Sequence, residues 1–493
     1  MRGYKEAKEA FVSGSTGGTV TRINAVCTTA ATTYALWTVL APRLALRTGS
    51  PSLRVPAIEF AILVVPLLLS LTALSAHPLA LNLVLTTLVL ITDRLDLPLA
   101  SPPLSPKQSK RSAEPLPLGN RLFSQPFVTV YRAHMMLMTV ICILAVDFKV
   151  FPREFAKAET WGTSLMDIGV GSFVFSLGLI SALPLLRSTE RTPFVSAVWQ
   201  SAKKSAGVLA LGLVRVIMVK GVEYPEHVSE YGVHWNFFFT MGLLPIFGAA
   251  LQYLSPLVDF HLMALVISVV HQLALSRTAL QDWTLNAERI SFLSQNKEGI
   301  VSLPGYVAIF LFGIGTGLYV LPPDPYFYEA LYLRPKSSDS PEVRRAIEEK
   351  RQKAWKPKPG KLANVLGSYA VLWWGAYLTL RYFGGHVSRR VANLPYVIWI
   401  AAFNTSFIFL YLLIHTWASS RPLARAAGAP AIFDAFNRNG LVVFLVANLL
   451  TGLVNVSIES MYASDSLAMI VLLLYCAGVV GAAWALRTKR LRM

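Results

Sequence analysis

Two ionisable residues in one short connector set the chemistry to be explained. Asp147 closes the apolar run MMLMTVICILAV, and Lys157 follows ten residues later in FKVFPREFAKAETWG. Seven charged residues lie from Asp147 to Asp167, between two segments long enough to cross a bilayer. Membrane proteins rarely place so many there unless the charges pair or act chemically. Asp147 has an ordinary reading, a helix-end charge facing water. It also has a chemical one, because a partly buried carboxylate titrates nearer neutrality and can take a proton from a hydroxyl. Lys157 can pair with Asp147, Glu154 or Glu159, or it can stabilise an oxyanion or hold a phosphate. A carboxylate and an ammonium sharing one cavity suit acyl transfer from a thioester to an alcohol. The alcohol needs activation, and the thioester oxygen needs a positive neighbour.

Two further groups could join them. VEYPEHVSEYGVHWNFFF, residues 222–239, packs Glu223, Glu226, His227, Glu230, His234 and Asn236 into one loop at a span mouth. His234, with Trp235 and Asn236, is a candidate base or substrate clamp, or a structural hydrogen-bonding group. His227 and His234 are seven apart with no second cluster, so no metal is expected. The other group lies at span ends: Asn296, Lys297, Glu298 and Gly299; Ser388, Arg389, Arg390 and Asn393; Asn437, Asn439, Asn448 and Asn455. Arg389 and Arg390 are candidates for holding a lipid phosphate through bidentate hydrogen bonds, or they belong to a solvated loop. Asn448 and Asn455 share a helix face, which favours interhelical hydrogen bonding.

These residues need a scaffold, and the composition says which kind. The 493 residues are 54% hydrophobic and only 15% charged, against about 25% charged in soluble domains. Thirteen apolar runs are long enough to span a bilayer. They start near Ile23, Val55, Pro78, Phe127, Leu165, Gly207, Phe237, Leu257, Ser302, Val365, Leu394, Leu441 and Leu467. The expectation is an all-α, polytopic membrane protein forming one transmembrane domain over residues 1–493. The net charge of +18 falls in loops between the runs, which reads as topology and not as a nucleic-acid face. The positive-inside bias and the basic tail RTKRLRM predict a lumenal N-terminus and a cytosolic C-terminus. The Asp147–Lys157 connector then faces the lumen.

Two long loops fall on the cytosolic side. Residues 95–125 are rich in Pro, Ser and Lys, as in a flexible linker. Residues 322–363 are basic and contain PEVRRAIEEKRQKAW, a candidate surface helix suited to anionic lipid or a phosphate-bearing cosubstrate. The polar N-terminus lacks the pattern of a cleavable signal peptide. Cys27, Cys142 and Cys476 all lie in apolar runs, which disfavours both a disulfide framework and a covalent acyl-enzyme. Small-residue pairs at Gly169–Gly171 and Gly313–Gly317 permit close helix approach or leave room for an acyl chain.

FAKAETWGTSLMDIGVGSFVF, YPEHVSEYGVHWNFFFT, NKEGIVSLPGY, SRRVANLPY, NGLVVFLVANLLTGLVN and the N-terminal FVSGSTGGTVTRINAV together resemble the fungal Gwt-type and animal PIG-W family, in its order and over essentially the whole chain. These are the inositol acyltransferases of glycosylphosphatidylinositol (GPI) anchor synthesis. The resemblance implies an endoplasmic reticulum membrane enzyme that moves a fatty acyl group, usually palmitoyl, from acyl-CoA to the inositol ring of glucosaminyl-phosphatidylinositol. It places the catalytic carboxylate and lysine on Asp147 and Lys157; the reading of the 222–239 loop adds His234 as a further candidate. Asn236, Arg389, Arg390, Trp161, Asp167 and Asn448 are the candidate substrate-binding residues. The family pattern DFPxFPRRFAK reads DFKVFPREFAK here, with Lys149 for Pro and Glu154 for Arg. Arg22 stands where an acidic residue is common. A lipid or solute transporter is the rival expectation. The absence of matching halves and the clustering of ionisable groups on one face speak against it.

Overall fold

Apolar runs opened by Ser, Thr, Asn and Asp caps become helices in the computed structural model. It describes residues 7–8, 10–44, 53–95, 125–187, 192–221, 228–332, 340–354, 356–421, 428–489 and 491. Among these, thirteen helical segments have fifteen or more residues, and no strand occurs. We number them in chain order: α1 Val20–Leu40, α2 Arg54–Leu71, α3 Pro78–Arg94, α4 Pro126–Ala145, α5 Leu165–Ser181, α6 Phe194–Gly221, α7 Phe237–Leu251, α8 Phe260–Arg277, α9 Lys297–Val320, α10 Pro359–Tyr382, α11 Leu394–Ser419, α12 Gly440–Ser457 and α13 Asp465–Ala485.

Every one of the thirteen predicted runs falls on one of these segments. Nine, all but α1, α3, α6 and α10, are long and apolar enough to cross a membrane. The other four are compositionally weaker. Helix α1 is rich in Thr and Ala, α3 has 17 residues, and α6 and α10 carry Lys or Arg within their length. The expected linker at 95–125 lies, except at its ends, outside the described residues, as do Glu223, Glu226 and His227. PEVRRAIEEKRQK is helical as expected, over Pro341–Lys353.

Local chemistry sets the helix ends. Thr19, Ser164, Asn236, Asp259, Asn393 and Ser464 each accept a backbone N–H of the first turn, satisfying donors the helix leaves unpaired. Helix α2 buries Glu59, which accepts hydrogen bonds from Trp37 Nε1 (3.1 Å) and from the backbone N–H groups of Ala431 (3.0 Å) and Ile432 (2.9 Å). Those amides open the short helix Ala431–Arg438, so a carboxylate meets a helix N-terminus.

Helices α4, α9 and α11 form the centre, and most of their side chains are buried. The α5–α9 contact is the closest. A Cβ on Gly178 would collide with the Phe310 carbonyl, and one on Gly313 or Gly317 with the carbonyls of Phe175 or Leu179. Without an aqueous hydrophobic drive between spans, such backbone approach supplies the packing energy. Gly171 makes room for Ile400, and Gly315 for the His261 ring. These glycines therefore serve helix packing, leaving Gly169, beside Thr139 Oγ1, for the other reading. The periphery exposes apolar residues such as Leu83, Ile217, Leu453 and Leu474, as a lipid-facing surface requires.

The connections sort to two ends. Arg421–Asp93, Gln125–Leu321, Lys358–Asp324 and Asn439–Leu486 contacts gather one set of loops. The N-terminal segment, the connector after α4 and the loops before α7, α9, α11 and α13 gather at the opposite end. The candidate chemistry is there.

Candidate active site

Asp147 lies just past the end of α4, in a turn where Asp147 N–H donates to Leu144 O (3.1 Å) and Phe148 N–H to Ala145 O (3.0 Å). Buried Phe148, Phe151 and Phe155 anchor the turn. Arg153 clamps it, because its Nη2 donates to the carbonyls of Val146 (2.7 Å), Phe151 (3.1 Å) and Phe148 (3.2 Å). These include carbonyls that the end of a helix leaves unpaired. Burial draws the Arg153 guanidinium down to about 10, against the opposing field of Asp147.

The Asp147 side chain is 6% exposed and has two direct partners. Asn455 Nδ2 of α12 donates to Oδ2 at 2.8 Å. The Lys8 ammonium stands 3.5 Å from Oδ1 and donates to Asn455 Oδ1 (3.1 Å) and Ser460 Oγ (3.5 Å). Neither Lys8 nor Asn455 entered the sequence-based site, which drew only Asn448 from α12. Asn455 was legible only as a residue for an interhelical bond; its side chain instead reaches the key carboxylate in the turn just past α4. Lys8 was hidden in a polar N-terminus whose only sequence signal is its charge next to Phe11.

Lys157 is engaged elsewhere. Its Nζ donates to Glu230 Oε1 at 2.7 Å. The same oxygen accepts from Arg389 Nη1 (3.2 Å), and Arg389 Nε donates to Asp167 Oδ1 (2.6 Å). Asp167 Oδ2 accepts the Ala158 N–H (3.2 Å), which closes the chain onto the connector beside Lys157. Burial alone would raise the Glu230 carboxyl, yet Lys157 and Arg389 over-compensate and hold it at about 2. The two carboxylates likewise drive the Arg389 guanidinium well above its ordinary value despite its burial. A four-member row of alternating charge thus runs from Lys157 to Asp167. Asp147 and Lys157 share the connector but not an ion pair.

The remaining predicted residues separate by contact. Arg390 Nη2 donates to the buried Glu298 Oε1 at 2.8 Å, and Arg289 holds both oxygens of the same carboxylate. Both predicted arginines are therefore neutralised by buried acids. His234 donates its backbone N–H to Asn296 Oδ1 (2.8 Å) and stacks on Phe292. Asn236 caps α7 through Phe238 N–H and donates to Gly212 O (2.9 Å). Trp161 meets His386 edge to face. Asn448 donates to Phe444 O within its own helix (2.7 Å), so of the two asparagines on that face only Asn455 bonds to another segment. Two of the three residues expected to depart from the family pattern meet each other: Arg22 Nη2 lies 3.0 Å from Glu154 Oε1.

One face of α4 is only partly buried below Asp147, where α4 packs against α5 and α12: Thr129, Arg132, Met136, Thr139, Ile143 and Val146. Phe173 of α5 and Phe444 of α12 lie 5.6 Å apart beside it. A strip of mixed polar and apolar side chains thus leads along the helix to the carboxylate.

The GWT1 family profile matches residues 4–486. The chain belongs to the GWT1 family. The match spans Lys8, the connector and Asn455 alike. Among its relatives are proteins named GPI-anchored wall transfer protein 1. That of Gibberella zeae is 41% identical, covering 98% of this chain and 97% of the relative. That of Aspergillus fumigatus is 40% identical over 99% of each. That of Cryptococcus neoformans var. neoformans is 38% identical over the full length of both. The GWT1 resemblance read from the sequence blocks is thereby borne out.

Proposed function

We propose that the protein is a multi-pass O-acyltransferase of the endoplasmic reticulum membrane, acting in GPI-anchor biosynthesis. It moves a fatty acyl group, palmitoyl foremost, from acyl-CoA to an inositol hydroxyl of glucosaminyl-phosphatidylinositol. The observation that carries this reading is the nearly buried Asp147 carboxylate, held by Asn455 at the end of the partly buried α4 face. The relatives' names supply the pathway.

In this reading Asp147 takes the proton of the inositol hydroxyl. The oxygen attacks the thioester carbonyl, the C–S bond breaks, and the CoA sulfur receives the proton from Asp147. An ester and free CoA result, with no external oxidant or reductant. Lys157, whose side chain is 35% exposed against 3% for Arg389, is the accessible cation for the carbonyl oxygen or the lipid phosphate. Arg389, Arg390 and Asp167 hold the walls. His234, Asn236 and Trp161 border the site, and the α4 face with Asn448 receives the donor. All thirteen segments cross the membrane, with the N-terminus lumenal and the C-terminus cytosolic.

Purified protein with labelled acyl-CoA and glucosaminyl-phosphatidylinositol should yield acylated lipid. Asp147→Asn and Lys157→Ala should each remove product by at least ~100-fold while leaving the amount of folded protein unchanged. Near-normal turnover in either variant would overturn the residue assignment. Lipid movement without a new ester would identify a transporter instead.

A further inference from the structure

We infer that Lys8 is a positioning residue for Asp147, delivered to it by an N-terminal strap. The inference rests on the acyltransferase reading above and adds a residue to it. Asp147 is a nearly buried carboxylate, and an unpaired charge in that setting is costly. Lys157, the candidate catalytic cation of the connector, is bound to Glu230 at 2.7 Å. Arg153 turns Nη2 toward three carbonyls and contributes to Asp147 only through its field. Among the described residues, Lys8 is the cation at ion-pair distance from Asp147. Its three N–H donors meet three acceptors, on Asp147, Asn455 and Ser460, which fixes the ammonium in one place.

The strap gives this placement its rigidity. The Arg153 guanidinium lies 4.2 Å from the centre of the Phe11 ring. Gly14 N–H donates to Glu159 Oε2 (2.9 Å), Ser15 Oγ to Arg153 O (2.9 Å), and Glu159 N–H to Ser15 O (2.9 Å). Gly18 N–H donates to Thr163 O, and Thr163 Oγ1 to Gly18 O, both at 2.7 Å. Gly17 and Gly162 have φ of +76° and +138°, and a Cβ on either would strike the opposing backbone. The strap therefore runs along the connector from Phe11 to Gly18 and places Lys8 against the carboxylate. With Oδ2 fixed by Asn455 and Oδ1 facing the ammonium, the Asp147 carboxylate is aimed before the hydroxyl arrives.

A purely structural anchor would affect the amount of folded protein and little else. The test therefore compares Lys8→Met, Lys8→Arg and Lys8→Cys, the last before and after aminoethylation, which rebuilds a lysine-like ammonium. Position 8 is buried, as are Cys27, Cys142 and Cys476, so peptide mass is used to establish modification at position 8 before activity is read. Among the described residues, the charged groups that act on the carboxylate are Lys8 and Arg153. In Lys8→Met, kcat should fall by about tenfold or more with KM for acyl-CoA little changed. The acid limb of its rate profile should move to higher pH, because a carboxylate that loses a cation binds a proton more readily. Lys8→Arg and the aminoethylated Lys8→Cys should recover most of kcat and the wild-type limb. Wild-type kcat and limb in folded Lys8→Met, or aminoethylation that restores neither, would overturn the inference. Activity retained in Asp147→Asn would instead overturn the function on which it rests.

Discussion

Glu230 sits between two cations, and its side chain is only 16% exposed, so its charge is matched locally. Held at about 2 against an ordinary 4.5, it adds stability that is complete above pH 4.5 and is lost as pH falls toward 2. Glu230→Gln should therefore cost a few kcal/mol at neutral pH, and its melting temperature should converge on wild type as pH drops below 4.5. A constant gap across that range would refute the pairing. Its activity should fall as well, because Lys157 loses the group that orients it. The Arg22–Glu154 pair is a smaller matter, with side chains 37% and 29% exposed. It joins two of the positions at which the sequence was expected to depart from the family pattern, as opposite charges 3.0 Å apart. Arg22→Glu alone sets two carboxylates side by side, whereas Arg22→Glu with Glu154→Arg should restore stability. A double-mutant cycle should read a coupling of about 0.2–1 kcal/mol. A coupling of zero would mean the two departures are unrelated. Both pairs were visible as residues in the sequence and invisible as pairs.

At the level of elements, the α5–α9 contact and the strap carry the site. Asp167 and Gly178 share α5, and Glu298 and Gly313 share α9, so one interface registers the Asp167 and Glu298 ends of the charged groups. Gly313→Val would drive a branched side chain into the Phe175 carbonyl of the facing helix. Overpacking of this kind typically costs about 1–3 kcal/mol. It should appear as a lower melting temperature and less folded protein, with activity per folded molecule also reduced. Gly452, which has open space around it on α12, is the control, and Gly452→Ala should leave both nearly unchanged. Equal effects at the two positions would contradict the close-contact account. The helices were legible because apolar length and capping residues are local properties. Which glycines face a partner depends on rotation about each helix axis, and the sequence does not state it.

For the whole molecule, the loops alternate between two ends along the chain, as the run count required. The proposed lumenal face of the site end rests on the distribution of basic loops and is testable. Cysteine at Phe383, an exposed position at the site end, should be labelled by a membrane-impermeant thiol reagent only after the lumen is opened. Cysteine at Glu349, in the exposed basic helix of the opposite end, should react in sealed microsomes. The reverse pattern would invert the topology. By itself the sequence determined the all-helical class, the positions of the apolar runs, the family and the connector from Asp147 to Lys157. These follow from local composition and from motifs contiguous in the chain. Only the tertiary structure decided that Asp147 is met by Lys8 and Asn455, that Lys157 is met by Glu230, and that Arg389 and Arg390 are held by buried acids. The reason is physical: a buried charge takes whichever opposite charge or hydrogen-bond donor packing brings within about 3 Å. Packing joins residues from opposite ends of the chain as readily as neighbours.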